Sequence, residues 1–169
     1  MPVVVSSDPE WAVRFEAERA ILEGVLAPWL KGGVHHIGST AVPGLAGKPL
    51  IDMMAGVREL EEARAAFEPL ASLGYVYRRH RPEAHLFHRE GYGVHLTEPG
   101  SDLWRERLAF RDALLADPAL VEEYAAWKAR HADGTGRDDP YTGDKRPLVL
   151  RTLASAGIDL KPDSQRLSR

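Results

Sequence analysis

His36-Ile37-Gly38-Ser39-Thr40-Ala41-Val42-Pro43-Gly44-Leu45-Ala46-Gly47-Lys48-Pro49-Leu50-Ile51-Asp52 is the stretch on which the fold turns. Val34–Ile37 reads as a short strand, and the recurring glycines and prolines of Gly38–Pro49 make a loop. Leu50–Val57 is apolar on both faces except for Asp52, the pattern of a strand buried on both sides. Glycine lets a backbone approach a ligand closely, and free amides with the Ser39 and Thr40 hydroxyls can hold phosphate oxygens. An ionised Asp52 in apolar surroundings is costly unless it is paired, hydrogen-bonded or bound to a metal. Local pairing of the two strands puts a phosphate cradle beside a magnesium-ligating carboxylate, the minimum for handling a nucleoside triphosphate. Plainer readings compete: a simple connecting loop, and an Asp52 that caps the loop amides of Gly38–Thr40. Lys48 either meets phosphate as a point charge or sits on the loop exterior.

Upstream, Asp8-Pro9-Glu10 starts a helix, with Trp11, Phe15, Leu22, Leu26 and Trp29 at helical spacing and Gly32-Gly33 as its stop. Downstream, the spacing predicts a helix over Glu59–Leu73 and strands at Tyr75–Arg79, His85–Arg89 and Tyr92–Thr97. The last two are joined by a turn at Glu90-Gly91. The C-terminal third is helical. Ser101 caps one helix, Asp117-Pro118 opens the next, His131–Asp139 is a polar loop, and Pro147–Ala156 forms the last helix. The expected fold is α/β (α+β), a mixed sheet of about five strands flanked by helices and followed by a C-terminal helical portion.

The 169 residues suit one domain, expected over 1–157 with the sheet core at 33–98, helices at 101–157 and a flexible tail at 158–169. A hydrophobic share of 44% with 28% charged residues excludes collagen-like, disordered and membrane-spanning classes. The absence of cysteine removes disulfides, thiolate zinc sites and cysteine nucleophiles. Twenty-two basic against 25 acidic residues give a net charge of −3, which lends nucleic-acid binding no electrostatic support. No apolar run reaches the length of a membrane span, so the expected address is the cytoplasm, and monomer is the default state.

The string from His36 to Asp52 resembles the signature of the GrpB family, within the nucleotidyltransferase superfamily of polymerase-beta-like fold. A second set is similar in type and order to the family's C-terminal half. It comprises His95-Leu96-Thr97-Glu98-Pro99-Gly100-Ser101, Trp104, Phe110-Arg111-Asp112, Pro118, Tyr124, Lys128, Tyr141 and Lys145. The resemblance implies that Gly38 and Ser39 hold a triphosphate and that Asp52 is the first of two metal-binding acids. The second acid falls at Met54, a departure, and alternation puts that side chain on the Asp52 face. The strand of the third acid is Tyr92–Thr97, where His95 is the polar candidate, as phosphate donor or proton acceptor. Lys128, Tyr141 and Lys145 are expected to line the cleft opposite the sheet, while Tyr124 and Trp127 pack between helices.

Two functions follow from the resemblance. One is a magnesium-dependent nucleotidyltransferase acting on a small acceptor, with Asp52 and His95 as catalytic residues and Asp52 as metal ligand. Gly38, Ser39, Thr40, Lys48, Lys128, Tyr141 and Lys145 then bind the nucleotide. The other is an inactive nucleotide- or cofactor-precursor-binding module, since the family is also found attached to dephospho-CoA kinases. A carboxylate from Glu83 or Glu98 near Asp52 would restore the catalytic case. The histidines read mainly as ordinary strand residues. His35 and His36, like His85 and His88, point to opposite faces, and His36, His88 or His95 are the ones able to converge on Asp52. The run Tyr77-Arg78-Arg79-His80-Arg81 is either a solvated strand end or a contact for an anionic substrate.

Overall fold

A computed structural model describes residues 4–131 and 140–158, with side chains described over 4–130 and 147–158. Helix α1 (Glu10–Leu26) leads into strand β1 (Leu30–Ile37), and a single 3-10 turn (Ser39–Ala41) opens the long loop before β2 (Ile51–Val57). A 3-10 turn (Glu62–Ala66) and α2 (Phe67–Ser72) precede β3 (Val76–Arg78), β4 (Ala84–Arg89) and β5 (Tyr92–Thr97). Helices α3 (Asp102–Ala116), α4 (Pro118–His131) and α5 (Pro140–Ser155) complete the chain.

The strands form one mixed sheet in the order β1-β2-β5-β4-β3. The central pair β2–β5 is parallel and the other pairs are antiparallel. Alternation sorts β2 cleanly. Ile51, Met53, Ala55 and Val57 face a core shared with Trp11, Phe15, Leu22 and Leu26 of α1 and with Leu70 of α2. Asp52 and Met54 therefore face the opposite layer, that of α3–α5. There Val42 and Leu45 from the long loop pack with Leu114, Tyr124, Trp127 and Leu148. The C-terminal helices are thus seated on the loop itself, and the site lies between them and the sheet.

The α/β class, the five mixed strands and the helical C-terminal portion match the expectation from sequence. Three local details differ. Gly32-Gly33 does not stop α1, which ends at Leu26 ahead of Pro28, where the next N–H is missing. Both glycines lie in β1 instead, at a bulge where the register jumps between Leu30↔Val57 and Val34↔Ala55. The helix expected over Glu59–Leu73 is broken, because Pro69 cannot donate back into the preceding turn and fits only the first turn of α2. The last helix begins at Pro140 and carries Pro147 inside it. The loop expected up to Asp139 falls at 132–139, and the tail from Asp159 likewise lies outside the described residues. Among the described residues no helix is long and apolar enough to cross a membrane.

Candidate functional site

Register builds the site. Ile37 of β1, Asp52 of β2, Gly93 of β5 and His88 of β4 form one row across the sheet. Gly93 leaves the gap between Asp52 and His88 open. A Cβ there would lie 3.1 Å from His88 Cδ2 and 3.7 Å from Asp52 Oδ1. One step along β5, His95 Nε2 lies 3.3 Å from Asp52 Oδ1. The His95 side chain is 7% exposed and that of Asp52 26%, so Asp52 is part-buried rather than fully enclosed. Its Oδ2 faces Gly38, whose φ of 72° and ψ of −171° only glycine adopts readily. Among the described residues no amide of 38–40 is hydrogen-bonded to Asp52, so the capping role is not the one it plays. Burial pushes the Asp52 carboxyl up, but the hydrogen bond and charge of His95, with Arg107 and His88, outweigh it. The group is held below the ordinary carboxylate range.

The turn after Gly38 divides its hydroxyls. Thr40 is buried, donates to the Leu50 carbonyl at 2.9 Å and so accepts from His36 Nε2 at 2.8 Å, which fixes the proton of that ring on Nε2. His36 stacks on Phe15 with ring centroids 4.6 Å apart, on the α1 side of the sheet. Burial above all lowers its pKa to about 4. Of the three histidines able to converge on Asp52, His88 and His95 do so and His36 does not. Ser39 turns the other way. Its Oγ accepts from Lys128 Nζ of α4, which also donates to the Ala46 carbonyl at 2.9 Å and sits 4.8 Å from the centre of the Tyr124 ring. Ser39 is hydrogen-bonded to the Tyr124 phenol, whose pKa burial pushes up to about 12. Lys48 is exposed, on the loop exterior. Tyr141 and Lys145 fall on α5, where their side chains lie outside the described residues.

Two further groups complete the arrangement: Arg107, which the sequence did not single out, and His80, from the run Tyr77–Arg81 read as a solvated strand end or a contact for an anionic substrate. His80, in the β3–β4 loop, packs edge-on against His95 with centroids 5.0 Å apart. Burial, with His95 and Arg107 close by, lowers its pKa to about 4. Arg107 of α3 acts electrostatically on Asp52, His80 and Tyr124 together. The loop carrying His80 is anchored by the buried ion pair Arg81–Glu106, 3.2 Å apart. The available sequence signal for Arg107 is its offset of four from Arg111, which places both on one face of α3. Arg111 itself donates to the His36 carbonyl at 3.1 Å and pairs with Asp112 at 2.8 Å, tying α3 to the end of β1.

The donors around Asp52 do not fit magnesium, which demands oxygen ligands. Met54 offers a thioether on the same face, and His95 and His88 offer imidazoles. Glu83 faces Arg81, and Glu98 accepts from the Leu60 amide at 3.3 Å, so neither supplies the missing acid. Among the described residues no group of three or more His, Cys, Asp or Glu is disposed to hold a metal ion.

A mixed sheet with a Gly-Ser turn at the end of its first strand, a carboxylate on the next and helices closing over both is a nucleotidyltransferase-type fold. The chain belongs to the GrpB family, whose model, described as GrpB protein, matches residues 2–155. It is 35% identical over 161 residues to the UPF0157 protein of Deinococcus radiodurans, covering 90% of this chain and 81% of that one. The crystal structure of the conserved protein GrpB from Enterococcus faecalis is similar at 27% identity with a TM-score of 0.81. That match covers 92% of this chain and 100% of the other. A cytoplasmic RNA terminal U-transferase shares the fold at 16% identity with a TM-score of 0.53, over 83% of this chain and 44% of that one.

Proposed function

We propose that this protein binds a nucleotide, or a related phosphate-bearing small molecule, between the Gly38–Ser39 turn and α4, as a binding module without a metal-carboxylate centre. The observation that carries the reading is the buried Lys128 ammonium held on Ser39 Oγ and the Ala46 carbonyl. In the free chain these contacts tie α4 to the loop. A phosphate laid on the turn would exchange them for stronger charge-assisted hydrogen bonds. The lone carboxylate and the thioether at Met54 favour binding over two-metal transfer, which needs bridging acids.

A second reading rests on the Asp52–His95 pair. In a transferase, Asp52 would orient His95 to take the proton of an acceptor hydroxyl as its oxygen attacks the α-phosphorus and pyrophosphate leaves. No part of this reading is routed through magnesium.

Thermal unfolding of the full chain with each nucleoside triphosphate and with coenzyme A precursors, in EDTA and in magnesium, tests both. A ligand that binds only the folded state at 100 times its Kd stabilises by about 2.7 kcal/mol. The binding reading expects a rise in midpoint in EDTA that is lost in Ser39→Ala and in Lys128→Met. No rise with any of these ligands overturns it. Pyrophosphate release that is lost in His95→Gln selects the second reading.

A further inference from the structure

We propose that Arg107, His80 and His95 form a second subsite, which takes a phosphate group on the side of Asp52 away from the Gly38–Ser39 turn. The strand order separates the two places. The turn follows β1, at one edge of the sheet, whereas His95 lies on β5 beyond β2, and His80 lies in the loop joining β3 to β4 at the other edge. Arg107, on α3, acts electrostatically on both Asp52 and His80 from the helical layer.

Among the described residues, three nitrogens at this place are buried without a hydrogen-bond partner: His80 Nε2, His95 Nδ1 and Arg107 Nε. Buried polar atoms are paired in the great majority of folded proteins, so three orphans in one cluster point to an absent ligand. The neighbouring charges support the same reading. Arg81 is matched by Glu106 and Glu83. Arg107 has no carboxylate within 4 Å among the described residues, and Asp52 is already engaged by His95. The Arg107 guanidinium, on the side of the two rings, suits an oxyanion. A tetrahedral phosphate, unlike a flat carboxylate, presents oxygens to donors that approach from a helix, a loop and a strand at once. Asp52, His80 and Arg107 are each only part-buried, so the rim of the cluster meets solvent. The ligand would therefore carry a phosphate on the acceptor side of Asp52, whether that phosphate belongs to a second molecule or to the far end of the first.

This subsite stands apart from the Ser39–Lys128 reading and can survive its failure. The test is titration of the full chain with inorganic phosphate, followed by calorimetry and by the imidazole resonances of His80 and His95. The proposal expects both rings to shift, and the Kd to rise about tenfold or more in Arg107→Gln and in His80→Leu. Binding should be kept in His80→Gln, which retains an N–H donor, and in Ser39→Ala. Circular dichroism of each variant checks its fold, and Arg107→Lys, which keeps the charge, should bind better than Arg107→Gln. Absence of phosphate binding, or binding lost in Ser39→Ala but kept in Arg107→Gln, overturns the proposal. Nucleotide binding without phosphate binding at these rings leaves the Gly38–Ser39 site standing and refutes this subsite.

Discussion

Replacing Gly38 by alanine should destabilise the protein through one identifiable contact and one identifiable torsion. The residue sits at φ 72° and ψ −171°, a region essentially closed to residues with a Cβ, at a cost of about 1–3 kcal/mol. The added methyl would lie 3.3 Å from Asp52 Oδ2 and 3.4 Å from Asp52 Cβ, tight enough to press the carboxylate away. Gly44 supplies the control. Its φ of 82° is also positive, but nothing lies within 4 Å of the Cβ position, so Gly44→Ala should cost only the torsional part, about 1–2 kcal/mol. Urea unfolding followed by tryptophan fluorescence measures both. Gly38→Ala should be the less stable by about 1 kcal/mol, which for a chain of this size is a thermal difference of about 2–4 °C. It should also displace the Asp52–His95 pair, visible as a shifted His95 imidazole resonance that Gly44→Ala leaves in place. Equal stability of the two variants, or an unmoved His95 in Gly38→Ala, would refute the reasoning.

Thr40→Val should cost about 1–3 kcal/mol in a urea titration, because it strands the Leu50 carbonyl and the His36 N–H; a neutral result would mean that water replaces both bonds. Glu106→Gln breaks the buried pair with Arg81 and should lower stability by about 3 kcal/mol, read by calorimetry, while a midpoint near that of the parent would argue that Glu83 suffices. His36 and His80 have folded pKa values of about 4 against an ordinary 6.5, so the unfolded chain binds more protons between those values. Stability should be full above pH 6.5 and fall as pH drops toward 4, by about 1–2 kcal/mol per ring at pH 5 after allowance for partial exposure. A urea midpoint that stays flat from pH 7 to pH 5 would contradict the burial of these rings. Asp52, held low, adds stability above its ordinary value of 3.8 that is lost only as pH falls further, a separate and lower step in the same titration.

Much of the site was legible because its parts are local. The strand–loop–strand pattern around Gly38 and the period of two along Leu50–Val57 placed Asp52 and Met54 on one face before any contact was known. The same alternation put His85 and His88 on opposite faces. His85 indeed donates toward the Leu60 carbonyl on the α1 side, while His88 faces Asp52. The errors were also local in origin. Proline effects at Pro28 and Pro69 shortened one helix and broke another, and a glycine pair read as a helix stop proved to be a bulge. Arg107 was missed as a site residue for a different reason: it sits on a helix whose own pattern is ordinary, and only packing against the sheet gives it meaning. His80 was read within the run Tyr77–Arg81, and its edge-on packing against His95 became visible once the strands paired.

The sequence by itself determined the order of strands and helices along the chain and the placing of Asp52 and Met54 on one face of β2, since these follow from residue type and spacing. Tertiary structure alone decided that Thr40 serves the interior while Ser39 meets Lys128, and that His80 packs against His95 beside Asp52. The physical reason is that a hydroxyl or a charge has no assigned partner until packing chooses one. That choice depends on which helices the apolar residues of the loop, Val42 and Leu45, draw down onto the sheet.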